Sequence, residues 1–141
     1  MSLIGGGGAG NVAGGNPSGI GSGINYVGNH AYAYSGATDV GQNAVTILRF
    51  STGQLYIKTI FQPQYMVANA GAATEDFRFV VKFNDQEVSS MIIAEGTDRD
   101  AFYNVVNLII PPYTKVEVTA ANVTDTTTRA VGAIITGRVY A

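Results

Sequence analysis

The sequence predicts an all-β chain, a two-sheet antiparallel β-sandwich of the jelly-roll type with an extended glycine-rich arm before it. Short stretches of alternating apolar and polar residues recur at spacings of roughly 8–12 residues from Asn43 onward, which is typical of sandwiches. No stretch shows the period of a helix longer than two turns. The chain contains no cysteine and no tryptophan, so the core features of an immunoglobulin domain are missing and the jelly roll is favoured.

Composition divides the chain near residue 41 into an arm, residues 1–41, and a sandwich domain, residues 42–141. Most of the 18 glycines lie at or before Gly41, where Asp39 is the sole charged residue. A segment this poor in apolar side chains cannot order itself, and glycine loses the most freedom on ordering. We therefore expect the arm to become ordered against a partner. The apolar anchors expected to bind that partner are Ile4, Val12, Ile20, Ile24, Tyr26 and Val27.

The first predicted strands follow directly after this change in composition. Residues 45–50 alternate in polarity, and the pair Thr52-Gly53 supplies a turn. Residues 55–61 alternate again as the second strand, which Pro63 is expected to end because proline lacks the N–H that a ladder needs. A short strand over 65–68 then precedes a loop.

The clearest strand pattern covers residues 76–83. Its three phenylalanines share one face, while Arg78 and Lys82 lie on the other face. A sheet with one buried and one solvated face produces this alternation. The polar residues 84–86 predict a hairpin turn, after which residues 87–94 return as the partner strand.

The last three strands are predicted from one apolar run, one alternating run and one run rich in β-branched residues. Residues 102–110 are apolar and stop at Pro111-Pro112. Residues 115–120 alternate, with their valines directed inward, and the polar residues 124–127 form the next turn. Residues 129–140 are rich in β-branched side chains, which favour the extended conformation.

The glycine run matches the nucleotide-binding pattern G-x-G-x-x-G at residues 5–10, but its context excludes that function. The mechanism needs a strand before the glycines and a helix after them, so that helix amides face the phosphates. Only Met1 to Ile4 precede the run, and many more glycines follow it. We expect no nucleotide cofactor.

Catalytic and metal-binding patterns are equally weak, so we expect no enzyme, no cofactor and no metal. His30 is the single histidine and cannot build the multi-histidine site of jelly-roll metalloenzymes; it is expected to be a hydrogen-bonded structural residue. The acidic cluster Glu95, Asp98 and Asp100 contains Arg99 and fits a solvated loop better than a calcium site. The serines have no histidine base at a suitable place.

Charge and hydropathy exclude two classes of partner. The eight lysines and arginines are scattered from Arg49 onward, so no basic stripe exists for nucleic acid. No apolar stretch is long enough for a membrane helix, and no signal peptide is recognised. The sequon Asn122-Val123-Thr124 is therefore expected to be a plain turn. Only 13% of the residues are charged, which favours a protein that assembles with other subunits.

The chain resembles the cement (decoration) proteins of tailed-bacteriophage capsids in its architecture. The resemblance lies in the glycine-rich arm, the small cysteine-free jelly roll and the phrase LIIPPYTKVEV over residues 108–118, in which a proline stop separates two strands. It implies a structural virion protein without catalytic residues, made in the host cytoplasm and located on the capsid exterior. It also implies a homodimer or homotrimer that binds the major capsid protein, bridges its subunits and stabilises the shell.

The second reading is a carbohydrate- or receptor-binding β-sandwich module of a phage tail fibre or spike. Eight tyrosines support it, because tyrosine presents an apolar ring and a polar tip and is common in binding faces. Loss of the arm would separate the two readings, because a sugar-binding module would keep its ligand without residues 1–40.

Overall fold

The computed structural model describes residues 23–65, 75–93 and 105–140, and all its regular elements are strands. The ten strands are β1 (Asn25–Val27), β2 (His30–Tyr34), β3 (Thr38–Val40), β4 (Val45–Ser51), β5 (Tyr56–Tyr65), β6 (Phe77–Phe83), β7 (Gln86–Ile93), β8 (Val106–Ile110), β9 (Lys115–Asn122) and β10 (Arg129–Tyr140).

The strands form two antiparallel sheets, which confirms the predicted sandwich. The larger sheet has the order β1-β2-β10-β5-β8, and β3 also pairs with β10. The smaller sheet has the order β4-β9-β6-β7. If β2 and β3 are counted as one interrupted strand and the short β1 at the sheet edge is left out, the two sheets become four-strand layers with the strand order of a jelly roll.

The interruption between β2 and β3 is built around Ser35. Its N–H donates to the Ala133 carbonyl at 3.0 Å, and the Ala133 N–H donates to its hydroxyl oxygen at 2.8 Å. Gly36 follows with a φ of 70°, a conformation that favours glycine. Ser35 thus continues the pairing with β10 where the ladder is broken. Residues 25–40, which composition assigns to the arm, belong to the larger sheet.

Pro63 does not end β5, contrary to the expectation from its missing N–H. It lies inside the strand, opposite Ala133 of β10. The N–H and C=O of Ala133 are both used on the other side, by Ser35, so this pair exchanges no ladder hydrogen bonds. The Pro63 nitrogen therefore faces the β8 side, where pairing has already stopped at Phe61. Proline is tolerated at such a position.

The smaller sheet shows where simple alternation holds and where it fails. The hairpin between β6 and β7 turns on Asn84 and Asp85, with φ values of 51° and 70°, as predicted for these polar residues. In β4 the predicted alternation is wrong, because the register shifts by one residue near Thr46. The bulge leaves both Ile47 and Leu48 fully buried.

The core lies between the two sheets and is filled by aromatic and β-branched side chains from both layers. The predicted inward residues of 76–83 and 115–120 are part of it. Its largest fully buried side chains are Phe61, Phe77, Phe79, Ile47, Leu48, Ile57, Ile93, Ile110, Ile135, Val40, Val81 and Val116.

Some predicted features lie partly or wholly outside the described residues. Of the predicted strand 65–68, Tyr65 ends β5 and the rest lies outside the described residues. The same holds for residues 102–104, ahead of β8, and for the acidic cluster at 95–100.

Candidate functional site

An open groove of about 860 Å³ lies on the outer face of the larger sheet. It crosses β2, β10, β5 and β8, whose alternate residues point away from the core. We call it the outer groove. Its lining residues are His30, Ala31, Tyr32, Tyr34, Lys58, Thr59, Ile60, Asn107, Leu108, Ile109, Thr136, Gly137, Arg138 and Tyr140.

A row of basic side chains crosses the outer groove. Arg138 on β10 lies opposite His30 on one side and opposite Lys58 on the other. Like charges placed directly opposite each other across strands are destabilising. The three ion pairs found among residues 23–65, 75–93 and 105–140 include neither Lys58 nor Arg138, and the groove lining contains no acidic residue. The sheet therefore presents positive charge to any ligand in the groove.

Tyrosines lie on both sides of this basic row. On β2, the rings of Tyr32 and Tyr34 are 5.0 Å apart between centroids and tilted by 39°. At the other end, Tyr56 lies opposite Tyr140, and their rings stack at 5.3 Å between centroids. The groove thus has apolar ring surfaces at its two ends and positive charge between them.

Two exposed isoleucines complete the apolar part of the groove. Ile60 is 46% exposed and Ile109 is 60% exposed. They project from β5 and β8, whose pairing is reinforced by a hydrogen bond of 3.0 Å from the Thr59 hydroxyl to the Leu108 carbonyl. The groove floor is therefore a fixed sheet surface, and the mixture of apolar and basic groups on it suits binding.

A second exposed feature is Tyr113, in the turn between β8 and β9. It is 73% exposed and has a φ of 54°, a region that bulky residues rarely adopt. Hydrogen bonds hold the turn in this shape: the Tyr113 N–H donates to the Gly53 carbonyl at 2.8 Å, and the Thr114 N–H donates to the Thr52 hydroxyl at 2.9 Å. The Thr52 hydroxyl itself donates to the Pro111 carbonyl at 2.7 Å.

Of the six residues predicted to bind a partner, the structure describes Ile24, Tyr26 and Val27. Ile24 and Tyr26 are half-buried and pack against the core of their own domain, where burial raises the pKa of the Tyr26 phenol. Val27 is 52% exposed at the end of β1. The other three predicted anchors, Ile4, Val12 and Ile20, lie outside the described residues.

His30, expected to be a structural histidine, is exposed and lines the outer groove. Sequence reasoning missed this groove altogether. Lys58 and Arg138 stand at outward positions of two predicted strands, but only the register of β10 against β5 and β2 brings the three basic side chains into one row.

The sequon at Asn122 forms the turn that was expected of it. The Asn122 side chain is buried, and its amide nitrogen donates to Asp125 Oδ1 at 3.0 Å and to the Thr127 carbonyl at 2.7 Å. Its oxygen accepts from the Thr124 N–H at 2.8 Å. The amide nitrogen that would carry a glycan is therefore engaged in holding the turn.

The described residues contain no group of three or more histidine, cysteine or acidic side chains placed to hold a metal ion. They also contain no helix long and apolar enough to span a membrane. No known family model matches the chain, and a search of the curated proteins gives no match.

Proposed function

We propose that this chain is a structural virion protein that binds the outside of an assembled phage capsid and stabilises it by bridging major capsid subunits. As a homodimer or homotrimer it would contact several capsid subunits at once. Repeated sites on a fixed lattice add their affinities, so each individual contact needs little energy. Only 13% of the residues are charged, which supports a surface that is covered by other subunits in an assembly.

The observation that carries this proposal is Tyr113. A non-glycine residue in the left-handed region costs about 1–3 kcal/mol, and such strain is found mainly at functional sites. Here the strained residue is also a large aromatic that is 73% exposed, next to the exposed Pro111 and Pro112. Hydrogen bonds from the turn to Gly53 and Thr52 hold this backbone conformation, and the turn presents the ring to solvent. A rigid aromatic side chain at the tip of a fixed turn is a typical anchor in a protein interface.

Shells assembled from the major capsid protein encoded in the same genome test the proposal. We expect the full-length protein to bind these shells, to bind isolated capsid subunits poorly, and to raise the temperature at which shells disrupt in light scattering. Tyr113→Gly should lose at least about tenfold in affinity for shells, as expected for an aromatic anchor. Its own melting temperature should not fall, because glycine relieves the strain at a φ of 54°.

Val88→Ala is the matched control, since it shortens an exposed apolar side chain on β7 without touching the Tyr113 turn. It should bind shells like the unmodified protein. A full-length protein that neither binds shells nor protects them from heat would contradict the proposed function. Equal binding by Tyr113→Gly would remove only the assigned role of the turn.

The second candidate function is a carbohydrate- or receptor-binding module of a tail fibre or spike. The outer groove favours it, because tyrosine rings and a few convergent polar groups on a fixed floor are what small-ligand sites contain. The two functions use different surfaces. Binding of a glycan in the outer groove without any affinity for shells would support the second function against the first.

A further inference from the structure

We propose that the outer groove binds an acidic saccharide, with a carboxylate held by Arg138 and Lys58 and sugar rings lying against the tyrosines at the groove ends. This inference deepens the second candidate function and rests on it. It does not depend on capsid binding.

The charge of the groove identifies the ligand as an anion. Arg138 stands between His30 and Lys58 in adjacent strands, and none of the described residues that line the groove carries a carboxylate. A guanidinium binds a carboxylate through two parallel hydrogen bonds, and a neighbouring ammonium adds a third. An anion in this row would remove the repulsion between Arg138 and Lys58, so its binding would be favoured by more than the new contacts alone.

The position of the row on the sheet argues for a saccharide instead of an acidic peptide. β10 is paired on both sides over the groove, with β2 and with β5, and β5 is paired on both sides with β10 and β8. Their backbone N–H and C=O groups are therefore used within the sheet. Extended peptides obtain much of their affinity from free backbone groups at a sheet edge, and the two strands that carry Arg138 and Lys58 are not edge strands.

The outer groove offers the polar side chains and the apolar ring surfaces that a saccharide needs. Sugar hydroxyls can form their hydrogen bonds with side chains alone, without free backbone groups. Thr136 and Asn107 offer such polar side chains within the groove. The apolar faces of sugar rings need flat apolar surfaces, which Tyr34 and Tyr140 provide on opposite sides of the basic row. A volume of about 860 Å³ is sufficient for a short oligosaccharide.

Calorimetric titration of the full-length protein with matched acidic and neutral probes tests the inference. The probes are trigalacturonate with its fully methyl-esterified form, and 3′-sialyllactose with lactose. At least one acidic probe should bind tenfold or more tightly than its neutral counterpart. The difference should shrink as salt rises, because exposed charges are screened.

Three variants locate the binding site. Arg138→Gln should lower affinity for the acidic probe at least tenfold and bring it close to that of the neutral probe. Thr136→Trp should abolish binding of both probes by filling the groove while leaving all charges in place. Arg49→Gln is the matched control, an exposed arginine on β4 in the other sheet, and should change nothing. Melting curves of the variants establish that each of them is folded.

Each other outcome overturns the inference in a recognisable way. Equal affinity for acidic and neutral probes leaves saccharide binding in place and refutes the role of the basic row. The absence of binding by every probe at 10 mM, roughly the weakest affinity worth assigning to a site, refutes both the inference and the second candidate function. A dimer in sedimentation that Thr136→Trp dissociates would show that a second copy of the chain fills the groove.

Discussion

Glu75 is a buried carboxylate whose charge is balanced from another strand. Its side chain is 4% exposed, and Arg129 at the start of β10 donates from Nε to Glu75 Oε1 at 2.5 Å. A carboxylate in this position is costly unless it is paired. The contact joins the residues just before β6 in one sheet to β10 in the other, so it also ties the two layers together.

Removal of this arginine should therefore destabilise the fold far more than removal of an exposed one. We expect Arg129→Ala to lower the free energy of unfolding by about 2–4 kcal/mol, because the buried Glu75 carboxylate then loses its ion pair with the guanidinium. Arg78→Ala is the matched control: Arg78 and Glu87 form an ion pair in which both side chains are about half-exposed. It should cost less than about 1 kcal/mol. Urea unfolding measures the free energy of unfolding of both variants. Equal losses of stability in Arg129→Ala and Arg78→Ala would show that Glu75 does not need Arg129.

At the scale of the elements, β5 and β10 approach each other so closely that only glycine fits at one position. A Cβ on Gly137 would lie 2.2 Å from the Lys58 carbonyl oxygen and 2.8 Å from Thr59 Cγ2. The first of these atoms is backbone and cannot move aside without disturbing the ladder. The same approach fixes the spacing between Lys58 and Arg138, so Gly137 also shapes the outer groove.

Gly137→Ala should cost at least about 2–3 kcal/mol, the range found for overpacking in a fixed environment. Gly53→Ala is the control, since a Cβ there meets no atom within 4 Å and its φ lies outside the left-handed region. It should change stability by less than about 1 kcal/mol. Thermal unfolding of the two variants compares them directly. A Gly137→Ala protein as stable as Gly53→Ala would mean that the two strands can separate at no cost.

Strands with regular alternation could be predicted from the sequence, and the irregular ones could not. Residues 76–83 could be predicted because the strand buries one face, so that apolar side chains recur at every second position, and residues 129–140 could be predicted because they are rich in β-branched side chains. The bulge in β4 and the proline inside β5 depend on pairing partners far along the chain, Val118 and Ala133. The basic row of the outer groove depends on register for the same reason, and register is not visible in one strand alone.

For the whole molecule, the main difference from the sequence-based prediction concerns residues 25–40. Their composition is that of the glycine-rich segment, but they supply β1, β2 and β3 to the larger sheet. Ala31, Ala33 and Val40 are buried in the core although they are small and few. Pairing with the long strand β10 orders a segment that lacks the apolar content to order itself.

Two truncations should therefore behave in opposite ways. Deletion of residues 1–22 leaves all ten strands intact, so the melting temperature should stay within a few degrees of the full-length value. Deletion of residues 1–40 removes β2 and β3, the neighbours of β10 on one side, and so exposes that edge of β10 and uncovers the core. We expect this second protein to aggregate or to unfold without a cooperative transition, which calorimetry and sedimentation would detect.

The shorter truncation then separates the fold from the proposed function. If residues 1–22 hold the protein on a capsid through Ile4, Val12 and Ile20, the truncated protein should be folded and yet fail to protect shells from heat. The same protein should bind the acidic saccharide like the full-length chain, because the outer groove begins at His30. Full protection of shells by the truncated protein would assign shell binding to the sandwich and its Tyr113 turn alone. A longer truncation that melted like the full-length chain would contradict the pairing of β10 with β2 and β3.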